Sequence, residues 1–188
     1  MGDIRVLVPL AEGFEEIEAV TIIDMLRRAG AVVVSAGLHE RHVTGGHDIR
    51  LETDVLLDDV LNKSWDLIVL PGGGKGVENL LADTRILSMV QKHNRAGKET
   101  GAICAAPRVL EKAGITKGHT ITIHPMQKEY LQDSTVEDKA VVTSDRVITG
   151  RSAGAAMAFA LTLIKRLMGK DVAEKVEKGV ISGVRFDT

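Results

Sequence analysis

The apolar positions of this chain fall into two alternating kinds of run. Residues 4–9 (IRVLVP), 32–36 (VVVSA) and 67–70 (LIVL) are short and dense in Val, Ile and Leu. That is the pattern of strands covered on both faces, and hence of a parallel sheet. Between the first two, residues 15–29 show helical spacing and stop at Gly30, a residue suited to the left-handed end of a helix. Further along, the pattern predicts a helix over 84–96 closed by Gly97, a strand over 100–103, a helix opened by Cys104, and a strand over 120–124 ended by Pro125. It then predicts a strand over 147–149 and a helix running to Met168 with Ser152 as its N-cap. Residues 37–53, with Gly45-Gly46 between Val43 and Ile49, read as a small antiparallel hairpin peripheral to the sheet. Together these elements predict a three-layer α/β/α sandwich with a mainly parallel central sheet and a small appended hairpin. Its site should lie at the carboxyl ends of the strands.

Composition narrows the function classes. The 188 residues carry 24 Lys plus Arg against 26 Asp plus Glu, a net charge of -2. Such a balance offers no electrostatic footprint for nucleic acid or an anionic membrane, so small solutes or proteins are the expected partners. The length predicts one domain over residues 1–188, able to bury about 70% of the surface of its extended chain. One cysteine excludes an intrachain disulfide, and the opening Met1-Gly2-Asp3-Ile4-Arg5 lacks the layout of a signal peptide, so the expected compartment is cytoplasmic. Gly2 would suit myristoylation, but Val6 stands where that motif needs Ser or Thr. The longest apolar run, 153–164, is too short to span a bilayer and reads as a buried helix.

The lone cysteine sits in Gly101-Ala102-Ile103-Cys104-Ala105-Ala106-Pro107, between a strand-like and a helix-like segment. A sharp strand-to-helix turn lifts its central side chain out of the sheet toward the first amides of the helix, which lower a thiol's pKa. The turn needs small residues two positions either side, and Ala102 and Ala106 supply them. The alternative is a small buried hydrophobe. Glu18 shares a helical stripe with Ile22, Met25 and Ala29 at about 100° per residue. It is either a buried carboxylate in need of a partner or an early-helix acid complementing the dipole, as Glu15 and Glu16 do. Beside Cys104, a protonated Glu18 would hydrogen-bond a thiolate and the two would titrate as a unit. His124, on the Thr120 and Thr122 face of its strand, is by its residue pattern a satisfied, half-buried histidine.

Other groups read as bland. His39, His42 and His47 have no cysteine or ordered carboxylate set nearby, so they predict a solvated loop and no metal site. Gly72-Gly73-Gly74-Lys75-Gly76 lacks the Ser or Thr of a phosphate loop and the third glycine of a dinucleotide fingerprint. It remains a strand end whose amides can point inward, and those of Gly73 and Ala105 could form an oxyanion hole. Arg27, Arg28, Arg50 and Arg151 read as solvated rather than as holders of an anion.

Four separated segments, Gly13-Phe14-Glu15-Glu16-Ile17-Glu18, Leu70-Pro71-Gly72-Gly73, Ala102-Ile103-Cys104-Ala105 and His124-Pro125, resemble in order and spacing the ThiJ/PfpI superfamily, and within it the Parkinsonism-associated deglycase subfamily. The resemblance implies a flavodoxin-like sandwich, a homodimer, no cofactor, and a site of Cys104, Glu18 and His124 with Gly72, Gly73 and Ala105 lining it. The protease-like branch has His directly after the cysteine, where this chain has Ala105, and glutamine amidotransferases need a later His-x-Glu, whereas no histidine follows His124. Both activities are therefore unexpected. Ala106 replaces the family's usual Gly, and Ser152-Ala153-Gly154 its Gly-Pro-Gly.

What the resemblance implies is cysteine-dependent detoxification of reactive dicarbonyls such as methylglyoxal, or removal of early glycation adducts from proteins, in carbonyl and oxidative stress. The alternative is a redox-sensing stress protein or chaperone that signals through oxidation of Cys104 with little turnover.

Overall fold

The computed structural model describes residues 3–180. Gly2, weighed above for myristoylation, lies outside them. In chain order the strands are β1 Arg5–Leu10, β2 Val32–Gly37, β3 His42–Thr44, β4 Arg50–Glu52, β5 Val55–Leu56, β6 Leu67–Leu70, β7 Glu99–Ile103, β8 Thr120–Ile121, β9 Thr135–Val136, β10 Val141–Ser144 and β11 Val147–Gly150. The helices are α1 Glu16–Arg28, α2 Gly74–Ala82, α3 Thr84–Arg95, α4 Pro107–Lys112, α5 Ala156–Met168 and α6 Lys170–Val180.

Seven strands form one sheet in the order β10-β11-β7-β6-β1-β2-β5. Every neighbouring pair is parallel except β10 with β11. The two-residue alternation of a strand divides the core between its faces. Val6, Val8, Leu10, Val69 and Ile103 pack with α1, α5 and α6, while Leu7, Ile68, Leu70 and Ala102 pack with α2, α3 and α4. This is the expected flavodoxin-like α/β/α sandwich, with the antiparallel hairpin β3–β4 attached. Among the described residues no helix is long and apolar enough to cross a membrane.

Several elements depart from the pattern reading. Helix α2 was hidden by Gly74 and Gly76 in its first turn. Gly76 is there because a Cβ at that position would sit 2.8 Å from the Phe14 backbone, so the two segments touch main chain to main chain. Strand β10 and helix α6 had no strong apolar run to announce them. The strand expected over 120–124 is only Thr120–Ile121 and pairs with β9 outside the main sheet. From Thr122 onward side chains replace the ladder: the Thr122 amide donates to Thr149 Oγ1 at 2.8 Å, and Thr122 Oγ1 donates to the Lys139 carbonyl. His124 therefore lies past the strand, heading a 3-10 turn over Pro125–Tyr130.

The helix after Cys104 begins at Pro107, leaving 104–106 as a turn. Ser152 makes no cap hydrogen bond, and α5 starts at Ala156 after a 3-10 turn at Ala153–Ala155. Nor is the hairpin peripheral. Gly13 N donates to Thr44 O at 2.7 Å, Gly46 N to Phe14 O at 2.8 Å, and His47 N to Glu16 Oε1 at 2.7 Å, which seats it on the start of α1.

Candidate functional site

Strand β7 carries the chain to Cys104, which takes a left-handed φ of 63°. A non-glycine residue held there is strained, and strain of this kind persists only where surrounding structure enforces it. The enforcement is visible on both sides. Cys104 N donates to Gly150 O, and His124 N donates to Cys104 O, each at 2.9 Å. Ala102 and Ala106, both fully buried, leave room for the turn. Cys104 itself is partly buried.

Helix α1 brings Glu18 to the same place. The stripe Glu18, Ile22 and Met25 faces the core, and Glu18 has no exposed surface. Its Oε2 accepts the Gly72 amide at 2.7 Å, and it shares a hydrogen bond with Cys104. Its Oε1 has no partner among the described residues. Gly72 marks how close the three groups are. A Cβ there would lie 2.6 Å from Cys104 Cβ and 2.7 Å from Glu18 Oε2. The amides of Gly73 and Ala105 donate toward the Cys104 sulfur, and Gly73 reaches that orientation through a positive φ of 94°.

Electrostatics at the pair run opposite to one expectation. Burial pushes the Cys104 thiol up to about 12, and the charge of Glu18 adds to it, outweighing the lowering by the Ala105 and Gly73 amides. The lowered thiol pKa expected from a helix N-terminus is thus not found, because the helix starts three residues later and is only six residues long. Burial also raises Glu18 to about 7. Between those two values the pair holds one proton between two groups, on sulfur or on carboxylate.

His124 joins this site through its main chain. Its Nδ1 accepts the Met126 amide at 3.3 Å and its ring is half-buried. Of the arginines, Arg27 pairs with Asp54, Arg28 with Asp24 and Arg151 with Asp138, at 2.7, 2.7 and 2.8 Å. These three are each held by a carboxylate, and Arg50 lies on β4 of the hairpin.

The three hairpin-region histidines do not converge. His47 instead meets Glu16, Nδ1 to Oε2 at 2.9 Å, with Glu15 3.8 Å away. Glu15, Glu16 and His47 could offer three donor atoms within 4.8 Å of one another, but their hydrogen bonds already describe an ion pair between hairpin and helix. Burial pushes Glu16 up, and the His47 ring and amide more than reverse it. That contact was invisible in the sequence because its members are 31 positions apart. A cavity of about 380 Å³ lined by Leu10, Glu12, Leu38, His39, Glu40, Val43 and Asn79 opens at the ends of β1 and β2, with no member of the Cys104 site in its wall.

The chain matches the DJ-1/PfpI family over residues 4–166. It belongs to that family. DJ-1 homolog A of Arabidopsis thaliana is 40% identical over 94% of this chain, and the match covers 46% of that protein; the chain spans about half the length of the Arabidopsis relatives it matches. A DJ-1 relative of Caenorhabditis elegans named a glutathione-independent glyoxalase is 36% identical over 89% of this chain and 90% of its own length. The solved structure of Toxoplasma gondii DJ-1, oxidized, superposes with a TM-score of 0.93 at 34% identity, covering 96% of this chain and all of that one. The fold of this chain is thus that of the solved DJ-1 structures.

Proposed function

We propose that this protein converts small reactive dicarbonyls, with methylglyoxal as the type substrate, into hydroxy acids at Cys104. The observation that carries the reading is the meeting of a fully buried carboxylate and a strained cysteine across Gly72, with two backbone amides aimed at the sulfur. Ionised Glu18 takes the thiol proton as sulfur adds to the aldehyde carbon, giving a hemithioacetal whose oxygen rests on the Gly73 and Ala105 amides. Glu18 passes its proton to that oxygen. It then removes the C–H proton of the former aldehyde carbon and delivers it to the ketone oxygen, giving an enediol, and next takes the hydroxyl proton from the sulfur-bearing carbon and places it on the neighbouring carbon as the thioester carbonyl forms. The product is a thioester, which water hydrolyses to lactate and free thiol. No oxidant is consumed, and each step uses groups of this chain and water. His124 assists by orienting substrate or moving a proton. Early glycation adducts on Cys, Lys or Arg side chains of proteins would be taken by the same groups.

A second reading, oxidation sensing at Cys104, is favoured by the partial exposure of a sulfur hydrogen-bonded by two amides and Glu18, and by a relative whose structure is described as oxidized. The family's homodimer is supported here by Ile17, Val20 and Ile49, apolar side chains 59%, 45% and 55% exposed on α1 and the hairpin tip that packs against it.

The deciding experiment compares wild type, Cys104→Ala and Glu18→Gln with methylglyoxal in buffer free of other thiols and amines. Lactate from wild type alone is the expected result. No lactate above buffer from wild type ends the glyoxalase reading.

A further inference from the structure

Between buried Ile123 and Leu131, which packs on the core, the stretch after His124 has little to hold it. The 3-10 turn over Pro125–Tyr130 buries none of its residues, and Met126 and Tyr130 are 77% and 48% exposed. With no apolar anchor, such a turn is ordinarily mobile. One side chain of α4 reaches it. Arg108, itself only 13% exposed, donates from Nη1 to Gln127 Oε1 at 3.0 Å and stacks over the Tyr130 ring at 3.9 Å. It is fixed in turn by Glu78 of α2 at 2.7 Å. A guanidinium can satisfy all three partners at once because it is planar and forked; an ammonium cannot. Glu111, one turn further along α4, accepts the Gln132 and Asp133 amides at 2.8 Å, so the same helix grips the loop again past the turn.

We infer that Arg108 is a positioning residue for the Cys104 site: by clamping Gln127 and Tyr130 it sets the orientation of His124, whose amide is bonded to the Cys104 carbonyl. Arg108 touches no reacting atom in this role. Its helix also begins directly after the nucleophile turn, with Arg108 N donating to Ala105 O at 3.2 Å. The clamp thus ties together the two chain segments that present Cys104 and His124. The inference rests on the function proposed above only where turnover is the readout.

The first measurement is amide hydrogen exchange. In Arg108→Met, amides of residues 126–131 should exchange about tenfold faster or more, with those of β6 and β7 unchanged. Methylglyoxal turnover should lose about tenfold in kcat with KM near wild type, whereas Tyr130→Phe, which keeps the stacked ring, should retain both. Adding Arg108→Met to His124→Ala should cost nothing further, since the effect passes through His124. Unchanged exchange overturns the clamp. Faster exchange with unchanged kcat, or an additive double variant, overturns the positioning role. If wild type turns over no dicarbonyl, the proposed function fails instead, and the clamp is judged by iodoacetamide alkylation of Cys104. That rate must then differ from wild type in Arg108→Met and not in Tyr130→Phe, and equal rates in all three overturn it.

Discussion

The buried carboxylate of Glu18 accepts the Gly72 amide at 2.7 Å across 54 positions of sequence. Strand β6 and helix α1 thereby meet at one point, and Cys104 stands on its other side. Gly72→Ala would drive a methyl into Cys104 Cβ, Glu18 Oε2 and the Ile103 carbonyl at once. Overpacking of this kind costs about 1–3 kcal/mol. The expected outcome is a folded protein with a lower denaturation midpoint and dicarbonyl turnover reduced about a hundredfold or more. Near-wild-type turnover would show that Glu18 and Cys104 need not meet across Gly72.

The raised Glu18 carboxyl sets a pH dependence of rate. Only the ionised group can accept the thiol proton, so kcat/KM should rise with pH through about 7 and then level. In Glu18→Gln that limb should vanish with the activity. A wild-type profile flat from pH 5.5 to 8.5 would remove Glu18 from the role of base.

The same group sets a dependence of stability. Its folded pKa of about 7 lies above its ordinary 4.5, so over that window the unfolded chain has lost a proton that the fold still holds. Stability must fall as pH rises from about 4.5 to about 7, by up to about 3 kcal/mol. Urea denaturation at several pH values should show this slope in wild type and its loss in Glu18→Gln. Glu16 and Asp54, whose pKa values are lowered, act in the opposite sense, their contribution being lost as pH falls below the ordinary carboxylate range.

Oxidation offers a separate check on the second reading. Mild peroxide should add two oxygens to wild type at Cys104, detected by mass spectrometry, at doses that leave the six methionines intact. Glu18→Gln should stop at a different oxidation level, since the buried carboxyl is the hydrogen-bond partner of the sulfur. Methionine oxidation preceding any Cys104 adduct would count against sensing.

Ile17→Glu together with Val20→Lys places charge on the exposed apolar strip of α1. Light scattering should report a dimer for wild type and a monomer for the double variant. A monomeric wild type at micromolar concentration would leave that strip without a second copy.

Much of the fold was legible because its strands are buried on both faces. β1, β2 and β6 stand where short runs dense in Val, Ile and Leu put them, β7 ends on the Ala102-Ile103 that precede Cys104, and helix α1 follows from a stripe that includes Glu18. The parts that were not legible are those where backbone contact or side-chain hydrogen bonds replace apolar pattern. Helix α2 carries in its first turn a glycine, Gly76, required by the Phe14 backbone, and the strand before His124 ends early because Thr149 and Lys139 take its hydrogen bonds.

At the site, sequence determined which residues are present: one cysteine at a strand end, a carboxylate on a buried helical face, glycines after β6, and the motif order of the DJ-1/PfpI family. Only tertiary structure decided their electrostatics. Helix proximity alone argued for an acidic thiol. Burial and the charge of Glu18 reverse that, because in a site screened from water the nearest charge and the loss of hydration outweigh the dipole of a six-residue helix that starts past the sulfur. Tertiary structure also decided what steadies His124, since Arg108, Glu78, Gln127 and Tyr130 become neighbours only when α2, α4 and the loop after β8 pack together.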